Sequence, residues 1–429
     1  MKKKLINRLV PLLKSAILSP TIPDKDNIGM TFNFRGLGGF TLSHEEAKAF
    51  REATEILSEA FPKVGLKTCA NELERFCCRF IPKLQQGLDI PIGQEIQSLL
   101  TLLESLQKHQ TVVYVQVSGF NLLIPQWQFG AAIFMNGNHD EIEKARMSIK
   151  SVGVNNPNPL PPDAIIVRME LNGYADYALK HARNRVEEIL DVLQFLTIRE
   201  NRGAFEDTIG GFSFYACEPV PILQTPVWHY CPDTLTWGAA YGTGSPPILP
   251  AGPIKCILDD KIKDRFRPFA GDQLSEMLQA NCPFAFDRGL MTAISWIANG
   301  IRERNYARKY LSFFIALEAL FSPDDFELRN ADQFGKTILP LEDGVAFMLE
   351  QNLVERLKIV HTVRSLKRIR NSVIHRGFMD VEKKALVQLA TYAWNCCKVV
   401  ALRRNNFEKE NSFRDFVLNL KYGGRNMPT

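Results

Sequence analysis

The chain has 429 residues, 45% hydrophobic and 23% charged, with a net charge of +5. That composition supports a sizeable core and excludes wholesale disorder, and the length suits two or three domains. Nine scattered cysteines, none in C-x-x-C spacing, exclude a disulfide framework and a structural zinc site and suit buried thiols in a reducing compartment. The N-terminus begins like a leader, Met-Lys-Lys-Lys-Leu-Ile. Arg8 and Lys14 interrupt its apolar run and Pro11 breaks it, so it reads as a short amphipathic helix. No stretch reaches the ~18 apolar residues of a membrane span, and the expected location is the cytoplasm.

Met30–Phe34 alternates as a strand does, and a glycine-rich Gly36–Gly39 follows. Ser43-His-Glu-Glu46 is a capping box that opens a helix through about Phe61. Helical periodicity returns at about 69–84 and 94–106. Residues 112–117, 131–134 and 165–171 read as strands, and a long amphipathic helix spans about 175–196. Shorter β-like pieces lie at 212–214 and 227–230. Residues 239–253 are the strongest Gly/Pro cluster and predict a domain boundary at or just after them. Beyond about residue 265 every strong signal is helical. Tyr310–Phe321 is apolar almost all round, which predicts a place in the middle of a bundle. Further helices are expected at about 289–302, 343–351, 354–374 and 381–404. The fold expected is therefore an α+β N-terminal region, 1–255, with a subdivision near residue 110 left open. An all-α bundle over 256–410 and a tail over 411–429 complete it.

Two segments share the spacing Arg-x4-His: Arg356 to His361 and Arg370 to His375. Spacing alone does not choose between them, since an Arg-rich chain with seven histidines yields such matches by chance. A surface Arg and a helix-terminal His interacting with the helix dipole are the structural alternative. On a helix Asn371 and His375 are i,i+4 neighbours, while Arg370 lies about 140° round from His375 and reaches that face only through its long side chain. The chemistry of the three is coherent. A histidine moves protons near neutral pH, a guanidinium offers a forked permanent cation to phosphate oxygens, and the amide orients either. Glu318 is polar within the apolar helix and needs a partner if buried, for which Arg370 is suited. No carboxylate cluster of the two-metal nuclease kind is present. Gly335-Lys-Thr337 and Gly36–Gly39 lack the spacing and setting of nucleotide-binding loops. Trp127, Phe129 and Trp228 serve either a core or a binding surface.

Leu311–Leu320, Leu-Ser-Phe-Phe-Ile-Ala-Leu-Glu-Ala-Leu, followed by Arg370-Asn-Ser-Val-Ile-His-Arg-Gly377, resembles the Apea-like branch of the HEPN superfamily of ribonuclease domains. Arg376 is inserted where that family has His-Gly. The resemblance covers about residues 285–405 and chooses the second motif. It implies a metal-independent, cofactor-free endoribonuclease with Arg370, Asn371 and His375 as catalytic residues and Glu318 in support. It also implies a homodimer with a composite site, and a role in prokaryotic antiviral defence or as a toxin. The N-terminal region would then answer a trigger or inhibitor.

Charge points the same way. Between Val354 and Arg404 stand twelve Lys/Arg and three Asp/Glu, a local +9 against +5 for the whole chain. Such a segment suits a polyanion, with Arg364, Lys367, Arg368 and Arg376 as RNA-binding candidates. The competing expectation is a non-catalytic HEPN-like module for dimerisation or nucleic-acid binding.

Overall fold

A computed structural model describes residues 2–17, 28–34, 38–85, 91–118, 120–151, 164–197, 222–231, 236–240, 256–280, 285–303, 305–321, 340–377, 380–407 and 417. The chain is mostly helical, with a smaller β component in its first two thirds. It divides into two compact units. The first comprises 1–114, 169–183 and 226–241, and the second comprises 115–168, 184–225 and 242–429. Most of the Gly/Pro segment expected to mark the boundary, 239–253, and the expected strand at 212–214 lie outside the described residues.

In the first unit, helices α1 (Lys2–Ile17), α2 (His44–Ala60), α3 (Leu66–Gln85) and α4 (Ile92–Gln107) enclose one core. Leu5, Leu9 and Leu13 of α1 repeat every four residues and are buried, while Lys3, Lys4 and Arg8 face outward. The antiparallel hairpin β1 (Ile28–Phe34) and β2 (Gly38–Ser43) leads into α2. There the capping box closes in both directions: Glu46 N–H donates to Ser43 Oγ at 3.3 Å and Ser43 N–H to Glu46 Oε2 at 2.6 Å.

Eight more strands follow in chain order. They are β3 (Gln110–Ser118), β4 (Phe120–Leu122), β5 (Gln126–Phe129), β6 (Ala132–Asn136), β7 (Ile165–Asn172), β8 (Ile222–Cys231), β9 (Thr236–Ala240) and β10 (Cys256–Leu258). β5 pairs antiparallel with β6, β8 pairs antiparallel with β9, and β4 pairs in parallel with β10. Trp127 and Phe129 of β5 are buried among Phe134 and Phe266, so they are core side chains. The side chain of Trp228 lies outside the described ones.

Helices α5 (Asp140–Ser151) and α6 (Ala175–Leu196) follow β6 and β7. The C-terminal half of α6, from Asn184, belongs to the second unit. That unit also holds α7 (Ile262–Phe266), α8 (Gly271–Ala280), α9 (Ala285–Arg302), α10 (Tyr306–Phe321), α11 (Leu341–Leu349), α12 (Leu353–Arg376) and α13 (Lys383–Leu402). As its composition predicts, α10 is central and packs on α9, α11, α12 and α13. Tyr310, Phe313, Phe314, Leu317 and Leu320 are all buried.

Polar contacts fix the packing. Trp394 Nε1 of α13 donates to the Phe195 carbonyl at 3.2 Å. Arg404 grips the fully buried Asp287 at the start of α9 through two bonds of 2.9 Å. Ser295 and Arg302 of α9 both bond Asp191 of α6. By length and mean hydropathy α13 could cross a membrane, but Leu386, Leu389, Trp394, Cys396, Cys397 and Val400 are buried in the bundle.

Candidate functional site

Helix α12 carries both Arg-x4-His segments. Asn352 caps its start, accepting from the N–H groups of Val354 and Glu355 at 2.8 and 3.4 Å. Gly377 ends it at φ +64° and ψ 24°, a left-handed conformation that glycine enters without a Cβ penalty, and its N–H returns to the Ser372 carbonyl. A glycine turn thus closes the helix two residues after His375. Of the helix's 24 residues only Val363, Leu366 and Val373 are buried. Tyr310 of α10 fixes this strip, its hydroxyl donating to the Leu366 carbonyl at 2.7 Å. The opposite face is open to solvent.

Arg370 leaves that buried strip and reaches α10. Its Nη2 donates to Glu318 Oε1 at 3.1 Å and Oε2 at 3.3 Å, and its Nη1 donates to Asn371 Oδ1 at 3.3 Å. The guanidinium carbon lies 5.7 Å from the centre of the Phe314 ring, one turn before Glu318 on α10. The Arg370 and Glu318 side chains keep 27% and 32% of their surface exposed. The partner that Glu318 requires is therefore Arg370, and a ligand can approach both. Asn371 and His375 are exposed one turn apart on the same helix.

The first segment is used differently. Arg356 stacks on the Phe347 ring at 4.5 Å and its Nε donates to the Glu350 carbonyl at 2.6 Å, which fastens the end of α11 to α12. It meets a backbone oxygen and a ring where Arg370 meets a carboxylate. His361 is exposed.

Arg364, Lys367, Arg368 and Arg376 are exposed on α12 as well. Arg364 pairs with Glu342 of α11 at 3.1 Å. That pairing helps hold the Glu342 carboxyl below its ordinary range, although burial opposes it. Among the described residues Arg368, Arg376, His361 and His375 make no side-chain hydrogen bond or ion pair. No group of three or more His, Cys, Asp or Glu stands together as a metal site among the described residues.

Phe314 is the site neighbour that sequence reasoning missed. Its position four residues before Glu318 was the available signal, because i,i+4 side chains share a helix face. Comparison of the chain with protein-family models, characterised proteins and solved structures finds no match.

Proposed function

We propose that this chain is a HEPN-type endoribonuclease that cleaves RNA without a metal ion. The observation that supports it is the Arg370 cluster: a guanidinium held between a carboxylate and the amide of Asn371, with that amide one helical turn from an exposed histidine. His375 takes the proton of a ribose 2′-hydroxyl. The 2′-oxygen attacks the adjacent phosphorus while the bond to the 5′-oxygen breaks, and the leaving oxygen receives a proton. The products are a 2′,3′-cyclic phosphate and a 5′-hydroxyl. Arg370 neutralises charge on the phosphate oxygens and Asn371 orients them.

The Arg370 cluster has one histidine beside it, His375, and the reaction uses both a base and an acid. A second copy of the chain completes the site in this reading. Leu353, Val354, Leu357 and Ile374 of α12, 47–69% exposed, offer apolar surface for it to cover. Such an enzyme suits prokaryotic antiviral defence or a toxin, acts in the cytoplasm, and is held silent until a trigger reaches the N-terminal region.

One observation favours a non-catalytic HEPN-like module instead: Arg370 is already neutralised by Glu318. Incubation with mixed RNAs in EDTA separates the two readings. Cleavage that persists in EDTA and is lost in His375→Ala, with His361→Ala retaining the chemistry, supports the nuclease. Equal cleavage by wild type and His375→Ala would overturn the site assignment.

A further inference from the structure

The exposed face of α12 extends well beyond the Arg370 cluster. By helical geometry His361, Arg364, Arg368, Asn371 and His375 fall within an arc of about 80°. All five are exposed. The buried Val363, Leu366 and Val373 lie on the other side of the helix. Fourteen residues separate the two histidines, a rise of about 21 Å. The one acid of the helix, Glu355, sits about 120° away from His361 around the axis. Towards the N-terminus the same face continues as Leu357 and Val354, which are apolar and exposed. The polar stripe therefore has a defined end.

We infer that this stripe is a track for the backbone of one RNA strand, running from the cleavage site at His375 back along α12 to His361. The inference rests on the nuclease reading for the cleavage site at His375 and for taking the polyanion to be RNA. Arg368 lies midway and makes no ion pair with any described residue, so its guanidinium is available to a phosphate. Arg364 is held in place by Glu342 and still exposes 55% of its side chain. His361 and Asn371 supply hydrogen bonds at either flank. The span accommodates about six stacked nucleotides, or fewer if the strand is extended. A single row of groups along one helix matches one backbone, whereas duplex RNA is gripped across successive minor grooves. Attack by a 2′-hydroxyl also needs an in-line arrangement that an unpaired strand reaches more readily. His361 is thus a binding group about 21 Å from the chemistry, and the substrate class is single-stranded RNA with several nucleotides on one side of the cut.

The test is binding by the full chain to 2′-O-methyl RNA, which lacks the attacking hydroxyl, followed by fluorescence anisotropy. The probes are three and eight nucleotides long, with an eight-base-pair duplex and a poly-glutamate peptide as comparisons. The eight-mer should bind at least tenfold tighter than the three-mer, the duplex and the peptide. Arg368→Glu should weaken the eight-mer about tenfold and reduce the salt slope by about one. His361→Ala should act in the same direction less strongly. Circular dichroism confirms that both variants remain folded, as expected for exposed positions. Equal affinity for the two lengths, for the duplex or for the peptide would overturn the track, as would indifference to Arg368→Glu. Cleavage is scored separately. Length-dependent binding without cleavage keeps the track and removes the nuclease, and cleavage with no response to Arg368→Glu does the reverse.

Discussion

Arg370 holds Glu318 across 52 positions of sequence, one of its terminal nitrogens donating to both carboxylate oxygens while the other meets Asn371. Both side chains are about one third exposed or less, so the pair contributes about 0.5–1 kcal/mol to stability. Its larger expected effect is on where the guanidinium points. Glu318→Ala should lower RNA cleavage about tenfold or more while changing unfolding free energy by less than about 1 kcal/mol. Urea titration and cleavage assays on one preparation check this. A loss of activity no greater than the loss of folded protein would rule out a positioning role.

Asp287 and Arg404 should behave in the opposite way. The carboxylate is fully buried and accepts two bonds from the guanidinium. Arg404→Ala leaves a buried charge without its partner and should cost about 3–5 kcal/mol. The paired replacement Asp287→Leu with Arg404→Met should cost much less, because it removes both charges. Denaturant midpoints of the three proteins test the ordering.

Lys309 gives stability a pH dependence. Burial on α10 pushes its ammonium down to about 8, with Glu303 opposing the shift. An unfolded lysine keeps its proton to about 10.4. Between these values the unfolded chain binds the extra proton, so this group makes stability rise with pH across that window. Below pH 8 the folded state carries the full cost of the buried charge. Lys309→Met should therefore raise Tm at pH 7, and the gain should shrink as pH passes from 8 to 10. A gain constant over that range would show that Lys309 does not titrate as described.

Much of this fold was legible from local pattern. Ser43 and Glu46 announced their helix because both capping bonds are made within four residues. Tyr310–Phe321 announced its central place because it lacks a polar face. Other features depend on distant residues. Helix α5 went unseen, since its Asp-Glu-Ile-Glu-Lys-Ala-Arg run buries little beyond Ile142 and Ala145. The pairing of β4 with β10 joins segments more than a hundred residues apart and leaves no local trace. At the candidate site the Glu318–Arg370 pair was foreseeable from a charge in an apolar helix. The two Arg-x4-His copies became distinguishable in structural terms only when α11 was seen to receive Arg356.

Gly377 offers a narrower prediction. A Cβ there would meet nothing within 4 Å, so the cost of Gly377→Ala is conformational, about 1 kcal/mol from the positive φ. Gly377→Asn should cost less, because asparagine tolerates this region better. Thermal melts of the pair check the order. If the turn also sets the end of α12 beside His375, cleavage should fall in the same order.

Asp191 bonds Ser295 and Arg302 from a helix that lies well before residue 256. A fragment starting there would keep every helix from α7 to α13 and still lack one wall. Arg302, pushed below its ordinary range by burial, would lose its carboxylate, and Trp394 would lose the Phe195 carbonyl. The smallest self-sufficient version of this bundle is therefore discontinuous in sequence. It would have to be assembled by adding α6 as a separate peptide or by splicing it ahead of α7.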